Sequence, residues 1–100
     1  MKYKYIISKL ASQDIEQSFW WYEERSKQAA DNFTIELESA IEKICINPKI
    51  GNNKYEDSYE LRLKKYPFII IYLIDEKEKL VIVTGVYHMM RNPNSKYRKL

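Results

Sequence analysis

The chain has 100 residues and a formal net charge of +3, which is the size of one domain with a modest core. Hydrophobic residues make up 45% of it and charged residues 31%, a balance that excludes a disordered chain. The single cysteine, Cys45, excludes an internal disulfide, and with one histidine, His88, it excludes the usual Cys/His zinc cluster. We therefore expect no cofactor and no metal.

Three features of the sequence predict a cytoplasmic protein without a membrane segment. The basic start, residues 1–8, has no apolar run of signal-peptide length. The longest apolar run, residues 66–74, is about half the length that a membrane helix needs. A lone cysteine also fits a reducing compartment.

The first half of the chain predicts a strand and two helices. Residues 1–8 alternate in polarity and predict a strand. Ser8 and Ser26 are candidate N-caps for two helices over residues 9–47, and their closeness favours an antiparallel hairpin. One long bent helix stays open, because no Gly or Pro stands near Ser26. The predicted apolar stripes are Ala11, Ile15, Phe19 and Tyr22 in the first helix and Ala30, Phe33, Leu37, Ala40, Ile41 and Ile44 in the second.

The second half predicts strands. Pro48 ends the second helix, since proline disfavours helix in the residue before it, and residues 51–53 predict a loop. Three β-rich runs over residues 58–88 predict an antiparallel meander, and a basic tail over 89–100 follows. The predicted fold is α+β: an N-terminal strand and a helical hairpin packed on one face of a mainly antiparallel four-stranded sheet, in one domain, 1–100.

The distribution of charge points to the uncovered sheet face as a functional surface. Residues 10–47 carry eight acidic and three basic side chains, whereas residues 48–100 carry eleven basic and six acidic ones. The basic half can meet phosphates, and a solvated surface of uneven charge is the alternative. By strand alternation, Tyr59, Leu61 and Leu63 should face the helices, and Glu60, Arg62 and Lys64 the opposite side.

An ordered set of motifs between residues 3 and 98 resembles the RelE/ParE superfamily of bacterial toxins, often called plasmid stabilisation proteins. The most telling pieces are the strand start at Tyr66-Pro67-Phe68 and the ending His88-x-x-Arg91-x-Pro93. Further pieces are Ser8-Lys9-x-Ala11-x-x-Asp14-Ile15, Trp21-Tyr22-Glu23-Glu24, Phe33-x-x-Glu36-Leu37, Asn47-Pro48 and Leu61-Arg62. The family's fold agrees with the one predicted from the residues.

This resemblance implies the toxin of a type II toxin–antitoxin pair, neutralised by a small antitoxin whose flexible arm wraps the toxin. The ending looks more like the ParE branch, whose members block DNA gyrase and thereby inhibit growth. The alternative is the RelE branch, whose members are metal-independent endoribonucleases that cleave messenger RNA on the ribosome. A second alternative is a non-toxic protein that binds an antitoxin.

If the chain is a ribonuclease, the resemblance implies catalytic roles for Arg62, His88, Arg91 and Tyr97. In that reaction the 2′-hydroxyl of the RNA attacks, and the protein supplies proton transfer and cations for the phosphate. The planar fork of Arg62 can hold two phosphate oxygens, and His88 is the side chain suited to proton transfer near neutral pH. An ion pair of Arg62 with Glu60, and a tail anchored by Tyr97, are the structural alternatives.

Other residues are candidates for binding alone. Lys64, Lys65 and Arg98 are candidate contacts to the target or to nucleic acid, although nuclease relatives often carry more lysines before the second strand. Trp20 and Trp21 stand about 100° apart on a helix, so both cannot face the core. The exposed one is a candidate antitoxin or self-association contact. We expect an antitoxin along the sheet edge and helix pair, and leave open an oligomer with it.

Overall fold

The computed structural model describes residues 2–89. It confirms the predicted α+β class and adds a short 3-10 helix, Pro48–Ile50. Within the described residues, no helix is long and apolar enough to cross a membrane. The elements are β1 (Lys4–Ile7), α1 (Lys9–Arg25), α2 (Lys27–Ile46), β2 (Asn52–Tyr55), β3 (Ser58–Arg62), β4 (Phe68–Asp75) and β5 (Leu80–His88).

Serine side chains begin both helices. Ser8 Oγ accepts the backbone N–H of Ala11 at 3.1 Å, and Ser26 Oγ accepts that of Ala29 at 3.2 Å. Each bond satisfies one of the donors that a first helical turn leaves free. The N–H of Ser26 also donates to the carbonyl of Tyr22 at 2.7 Å, so one residue ends α1 and begins α2. The two helices therefore form the predicted hairpin and not one bent helix.

The sheet has five strands in the order β1-β5-β4-β3-β2. β1 runs parallel to β5, and the other neighbours are antiparallel. The prediction of four strands is therefore wrong by one, because β2 forms where we expected a loop. Asparagine is a poor strand former, but pairing with β3 sets Asn52 opposite Glu60 and Tyr55 opposite Ser58.

The helices pack against one face of the sheet, α1 through Ala11, Ile15 and Tyr22 of its predicted stripe, while Phe19 lies outside this core. An aromatic cluster joins the two layers: the ring centroids of Tyr22 and Phe33 are 5.4 Å apart, and those of Phe33 and Phe68 are 5.1 Å apart. Tyr66 packs edge-on against Tyr22 at 5.1 Å. Such contacts stabilise beyond the area they bury. The predicted stripe of α2 is confirmed, since all of its members are buried: Ala30, Phe33, Leu37, Ala40, Ile41 and Ile44.

Tyr72 of β4 ties the 3-10 helix to the sheet. Its hydroxyl donates to the carbonyl of Pro48 at 2.6 Å and accepts the N–H of Gly51 at 3.1 Å. Burial raises the pKa of Tyr72 to about 12, although the bond from Gly51 acts in the opposite direction. A Cβ at Gly51 would lie 2.6 Å from the tyrosine oxygen and 2.7 Å from the carbonyl oxygen of Glu60. Glycine thus allows the close approach that sets β2 beside β3.

Candidate functional site

Arg62 is the last residue of β3 and lies on the sheet face that the helices leave uncovered. It pairs with Ile69, which itself pairs with Tyr87 of β5. Residues directly opposite in a ladder share a face, and the neighbouring pair, Leu61 with Ile70, belongs to the helix-covered side. The side chain of Arg62 is exposed. The prediction that strand alternation places it on the uncovered face is confirmed.

His88 lies on the other side of the sheet. It pairs with Phe68, a core residue under the helices, and the two rings meet edge-to-face with centroids 5.2 Å apart. Its side chain is half-buried. The described strands therefore separate His88 from Arg62 by the thickness of the sheet.

A β-bulge explains this separation. Ile71 pairs with Gly85 and Tyr72 with Val83, so Thr84 is left as the extra residue of β5. A bulge shifts every later side chain to the other face. Without it, alternation from Leu80 would put His88 on the uncovered face. Arg62 and His88, both candidate residues of a ribonuclease, therefore lie on opposite faces of the sheet, while the role of each stays a prediction.

Lys64 and Lys65 lie in the connection between β3 and β4, and both are exposed. The backbone N–H of Lys65 donates to both carboxylate oxygens of Glu36 on α2, at 3.0 and 3.1 Å. The hydroxyl of Tyr66 donates to the carbonyl of Ala29 at 3.0 Å. These bonds fix the connection on α2, so its lysine side chains project from a held backbone.

A groove of about 700 Å³ separates α2 from β3 and the connection that follows it. We call it the α2–β3 groove. Its walls combine apolar and basic side chains, and two of the apolar ones, Ile35 and Ile50, are exposed to 63% and 44%. Its lining is Asn32, Ile35, Glu36, Ser39, Ala40, Lys43, Ile50 and residues 61–66. The catalytic candidate Arg62 and the candidate contacts Lys64 and Lys65 thus line one groove with Lys43, which we had not singled out.

Trp20 and Trp21 are both exposed, to 55% and 45%. The guanidinium of Arg25 lies 3.7 Å from the centroid of the Trp21 ring, a cation–π contact. Trp20 borders an apolar depression between β1 and α1 that includes Ile7 and Ile15. Both rings lie outside the α2–β3 groove, and their role as antitoxin contacts stays a prediction.

Three predicted site residues, Arg91, Tyr97 and Arg98, lie outside the described residues. Two acidic side chains that we had not assigned a role accept bonds from backbone N–H groups far away in the sequence. Glu36 fixes the β3–β4 connection on α2. Asp14 Oδ2 on α1 accepts the N–H of Val86 on β5 at 3.0 Å. β1 pairs with β5 only as far as Val83, so this bond lies past the end of that pairing. In the sequence, Asp14 and Glu36 could have been recognised as acidic residues next to an apolar stripe. Ile35 could have been recognised as an isoleucine that falls outside the stripe of α2 and is therefore expected to be exposed.

Solved structures of toxin–antitoxin proteins share this fold. The chromosomal ParDE system from P. aeruginosa matches with a TM-score of 0.73 at 12% identity, over 87% of this chain and 96% of that one. The intact E. coli RelBE complex matches with 0.64 at 14% identity, over 89% and 99%. The isolated E. coli RelE toxin gives 0.64 at 14% identity, over 92% and 89%. The chain therefore has the RelE/ParE fold.

The family comparison is more specific. The family described as the ParE toxin of the type II toxin–antitoxin system parDE matches residues 5–93. Among curated protein sequences, no match was found. Since the family match covers most of the chain, the chain belongs to the ParE toxin family, and the resemblance stated from its motifs is confirmed.

Proposed function

We propose that this ParE-family toxin inhibits DNA gyrase by binding it, without covalent chemistry, and that a cognate antitoxin holds it inactive. The family match over residues 5–93 supports this branch of the superfamily. The His88-x-x-Arg91-x-Pro93 ending favours the same branch. Both partners are proteins, so the function requires exposed docking surfaces and no reacting group.

The separation of Arg62 from His88 is the observation that carries this proposal. Cleavage of a phosphodiester needs a proton-transfer group and a cation within reach of the same phosphate. Among the described residues, His88 is the histidine, and it packs against the core ring of Phe68 on the face opposite to Arg62. This arrangement favours a binding protein over a nuclease built on that pair.

A ribosome-dependent endoribonuclease is the second candidate, and one observation favours it. Arg62, Lys64, Lys65 and Lys43 line one groove, and a group of cations with an arginine fork can hold an RNA backbone. In this alternative the proton-transfer group would come from residues other than His88, such as Tyr97.

Induction of the chain alone in a bacterial cell tests the proposal. Plasmid topology and message ends are read from the same samples. We expect growth arrest, relaxed plasmid and intact message ends, because a gyrase inhibitor lowers supercoiling without touching RNA. New translation-dependent message ends with normal supercoiling would establish the ribonuclease instead, and normal growth would contradict both candidates.

Co-expression with the product of the adjacent reading frame tests the antitoxin part separately. We expect the two proteins to purify as a complex and growth to be restored. Growth arrest that persists, with no complex on the column, would contradict an antitoxin encoded there while leaving the toxin's target unaffected.

A further inference from the structure

The outer edge of β1 is free, at the end of the sheet opposite to β2. The N–H of Lys4 donates to the carbonyl of Lys79 at 3.0 Å, and the N–H of Ser8 donates to a carbonyl of β5 at 2.9 Å. Successive residues of a strand direct their backbone groups to opposite edges. The N–H and C=O of Tyr5 and Ile7 therefore point away from β5, where no strand in the described part of the chain pairs with them.

Apolar side chains line this free edge on both faces of the sheet. Tyr5 and Ile6 are 49% and 51% exposed. Ile7 borders the apolar depression between β1 and α1, which has a volume of about 450 Å³. The rest of its lining is Ser12, Ile15, Glu16, Phe19 and Trp20. A strand edge that carries exposed apolar side chains is a place where chains associate.

We propose that β1 pairs antiparallel with β1 of a second copy of this chain across a two-fold axis, so that the two sheets join into one. A two-fold interface uses the same patch on both copies, and a bonded antiparallel pair exchanges both backbone bonds. In this dimer Tyr5 of one copy bonds Ile7 of the other, and Ile6 lies opposite Ile6 on the axis. The interface does not depend on the gyrase proposal, and it lies at the far end of the sheet from the α2–β3 groove.

The position of Lys4 selects this register. With the axis at Ile6, the two Lys4 residues lie four positions apart along the strands, which is about 13 Å at a rise of about 3.3 Å per residue. That distance exceeds the screening length of about 8 Å at physiological salt. The free backbone groups also allow an axis at Tyr5. That register would bring the two Lys4 residues to about 7 Å along the strands and would set each of them opposite Ile6.

The same register brings a half-exposed ring to the apolar depression. Tyr5 and Ile7 lie on the helix-covered side, since they pair with the core residues Val81 and Val83. Directly opposite residues of a ladder share a face, so Tyr5 of the second copy lies over Ile7, beside the depression. Its ring supplies apolar area, and its hydroxyl can donate to the exposed carboxylate of Glu16 in the lining. This complementarity favours a second copy over an unrelated segment.

The area of this interface predicts a weak dimer. An aromatic side chain has about 150–250 Å² to bury, so the half-exposed rings of Tyr5 and Trp20, with Ile6, offer about 300 Å² on each copy. The paired backbone adds to this area. A stable interface buries about 800 Å² on each partner. We therefore expect association at micromolar concentrations and monomers below them.

Sedimentation equilibrium of the purified chain, from about 5 to about 500 µM, tests the inference in the range of weak interfaces. We expect the mass to rise from 12.1 kDa towards twice that value and no further, because a two-fold interface closes. Ile6→Lys sets two like charges opposite each other on the axis and should weaken association about tenfold or more. Ile46→Lys, at a 63% exposed position of α2 outside the depression, adds the same charge and should weaken it less than about twofold.

Circular dichroism first establishes that each variant folds. If Ile6→Lys does not, Trp20→Ala replaces it, with Trp21→Ala as the control outside the depression. A wild type that stays monomeric over the whole range would overturn the inference. Undiminished association of the interface variant would also overturn it, since the copies would then meet elsewhere. Assemblies larger than a dimer would contradict the closed two-fold.

Amide hydrogen exchange tests the pairing of β1 itself. The Tyr5 and Ile7 amides should exchange about threefold or more slowly at the highest concentration than at the lowest. The Ser8 amide, already bonded to Val83, should change little and serves as the internal control. Equal exchange of Tyr5 and Ile7 at both concentrations would overturn the pairing. Protection that appears only when the product of the adjacent reading frame is added would overturn the inference in favour of the antitoxin at this edge.

Discussion

The two sides of α2 have opposite characters although they belong to one helix. On the core side, Phe33, Leu37 and Ile44 are buried, and their neighbours fill the space between helix and sheet. On the groove side, Ile35 is largely exposed, and Lys43 forms no ion pair with a described residue. The first side supplies stability, while the second leaves apolar area and charge exposed to solvent. If this division holds, substitutions on the two sides should differ strongly in their effect on stability.

Phe33→Ala should cost about 3–5 kcal/mol of unfolding free energy, because a fully buried ring leaves a cavity in the aromatic cluster. Ile35→Ala, two positions along the same helix, should cost less than about 0.5 kcal/mol, since surface changes are usually that small. Urea unfolding of both variants measures the difference. Equal losses would show that the division of α2 into a core side and a groove side is wrong.

Tyr72→Phe should cost about 1–3 kcal/mol, because it leaves the carbonyl of Pro48 and the N–H of Gly51 without the hydroxyl. Tyr5→Phe, at an exposed position of β1, is the control and should have almost no effect. Both are compared by thermal unfolding. A Tyr72→Phe variant as stable as the wild type would mean that these two bonds contribute nothing to the attachment of the 3-10 helix.

Stability should also depend on pH through this side chain. The pKa of Tyr72 rises from 10.0 to about 12 on folding, so folding favours the protonated hydroxyl. Its contribution is complete below pH 10 and is lost as the pH rises from 10 towards 12. The stability difference between wild type and Tyr72→Phe, measured in urea at pH 8, 10 and 11, should therefore shrink above pH 10. A difference that is constant over this range would contradict the shift.

Glu36→Ala should cost about 0.5–1.5 kcal/mol, because the two charge-assisted bonds to Lys65 lie at an exposed site. The matched control is Glu38→Ala, an exposed carboxylate on the same helix. Besides urea unfolding, the Lys65 amide should exchange faster in the Glu36 variant only. Identical exchange in both variants would contradict the role of Glu36 in holding the connection.

Trp21→Ala should have the smallest effect, about 0.5–1 kcal/mol, through its cation–π contact with Arg25. Arg25→Gln should remove most of the same energy, so the double variant should lose little more than either single one. Thermal unfolding of the wild type, the two single variants and the double variant forms a double-mutant cycle that measures the coupling between the two side chains. Fully additive losses would show that the ring and the guanidinium do not stabilise each other.

The helices and the core could be predicted from the sequence because their signals are local. Ser8 and Ser26 were identified as caps from residue type alone, and the spacing of the apolar residues in α2 gave its buried side. β2 could not be predicted, because its strand conformation depends on pairing with β3. The intrinsic propensities of Asn52 and Asn53 disfavour a strand.

The candidate site was harder to predict than the fold. The sheet face on which Arg62 lies could be predicted from alternation within one short strand. The face on which His88 lies could not be predicted in this way, because the bulge at Thr84 and Gly85 turns the later side chains of β5 to the other face. The α2–β3 groove combines residues from Asn32 to Tyr66, which lie far apart in the chain. The bonds that Glu36 and Tyr66 make between the connection and α2 help to bring them together.

A supercoiling assay with purified gyrase, relaxed plasmid and ATP tests the proposed function most directly. The chain is added in increasing amounts, and in parallel to a reconstituted translation reaction whose message ends are mapped. We predict that supercoiling stops as the chain exceeds gyrase, while the message stays intact. Full supercoiling at a large excess of the chain, together with ribosome-dependent cuts in the message, would contradict the proposal.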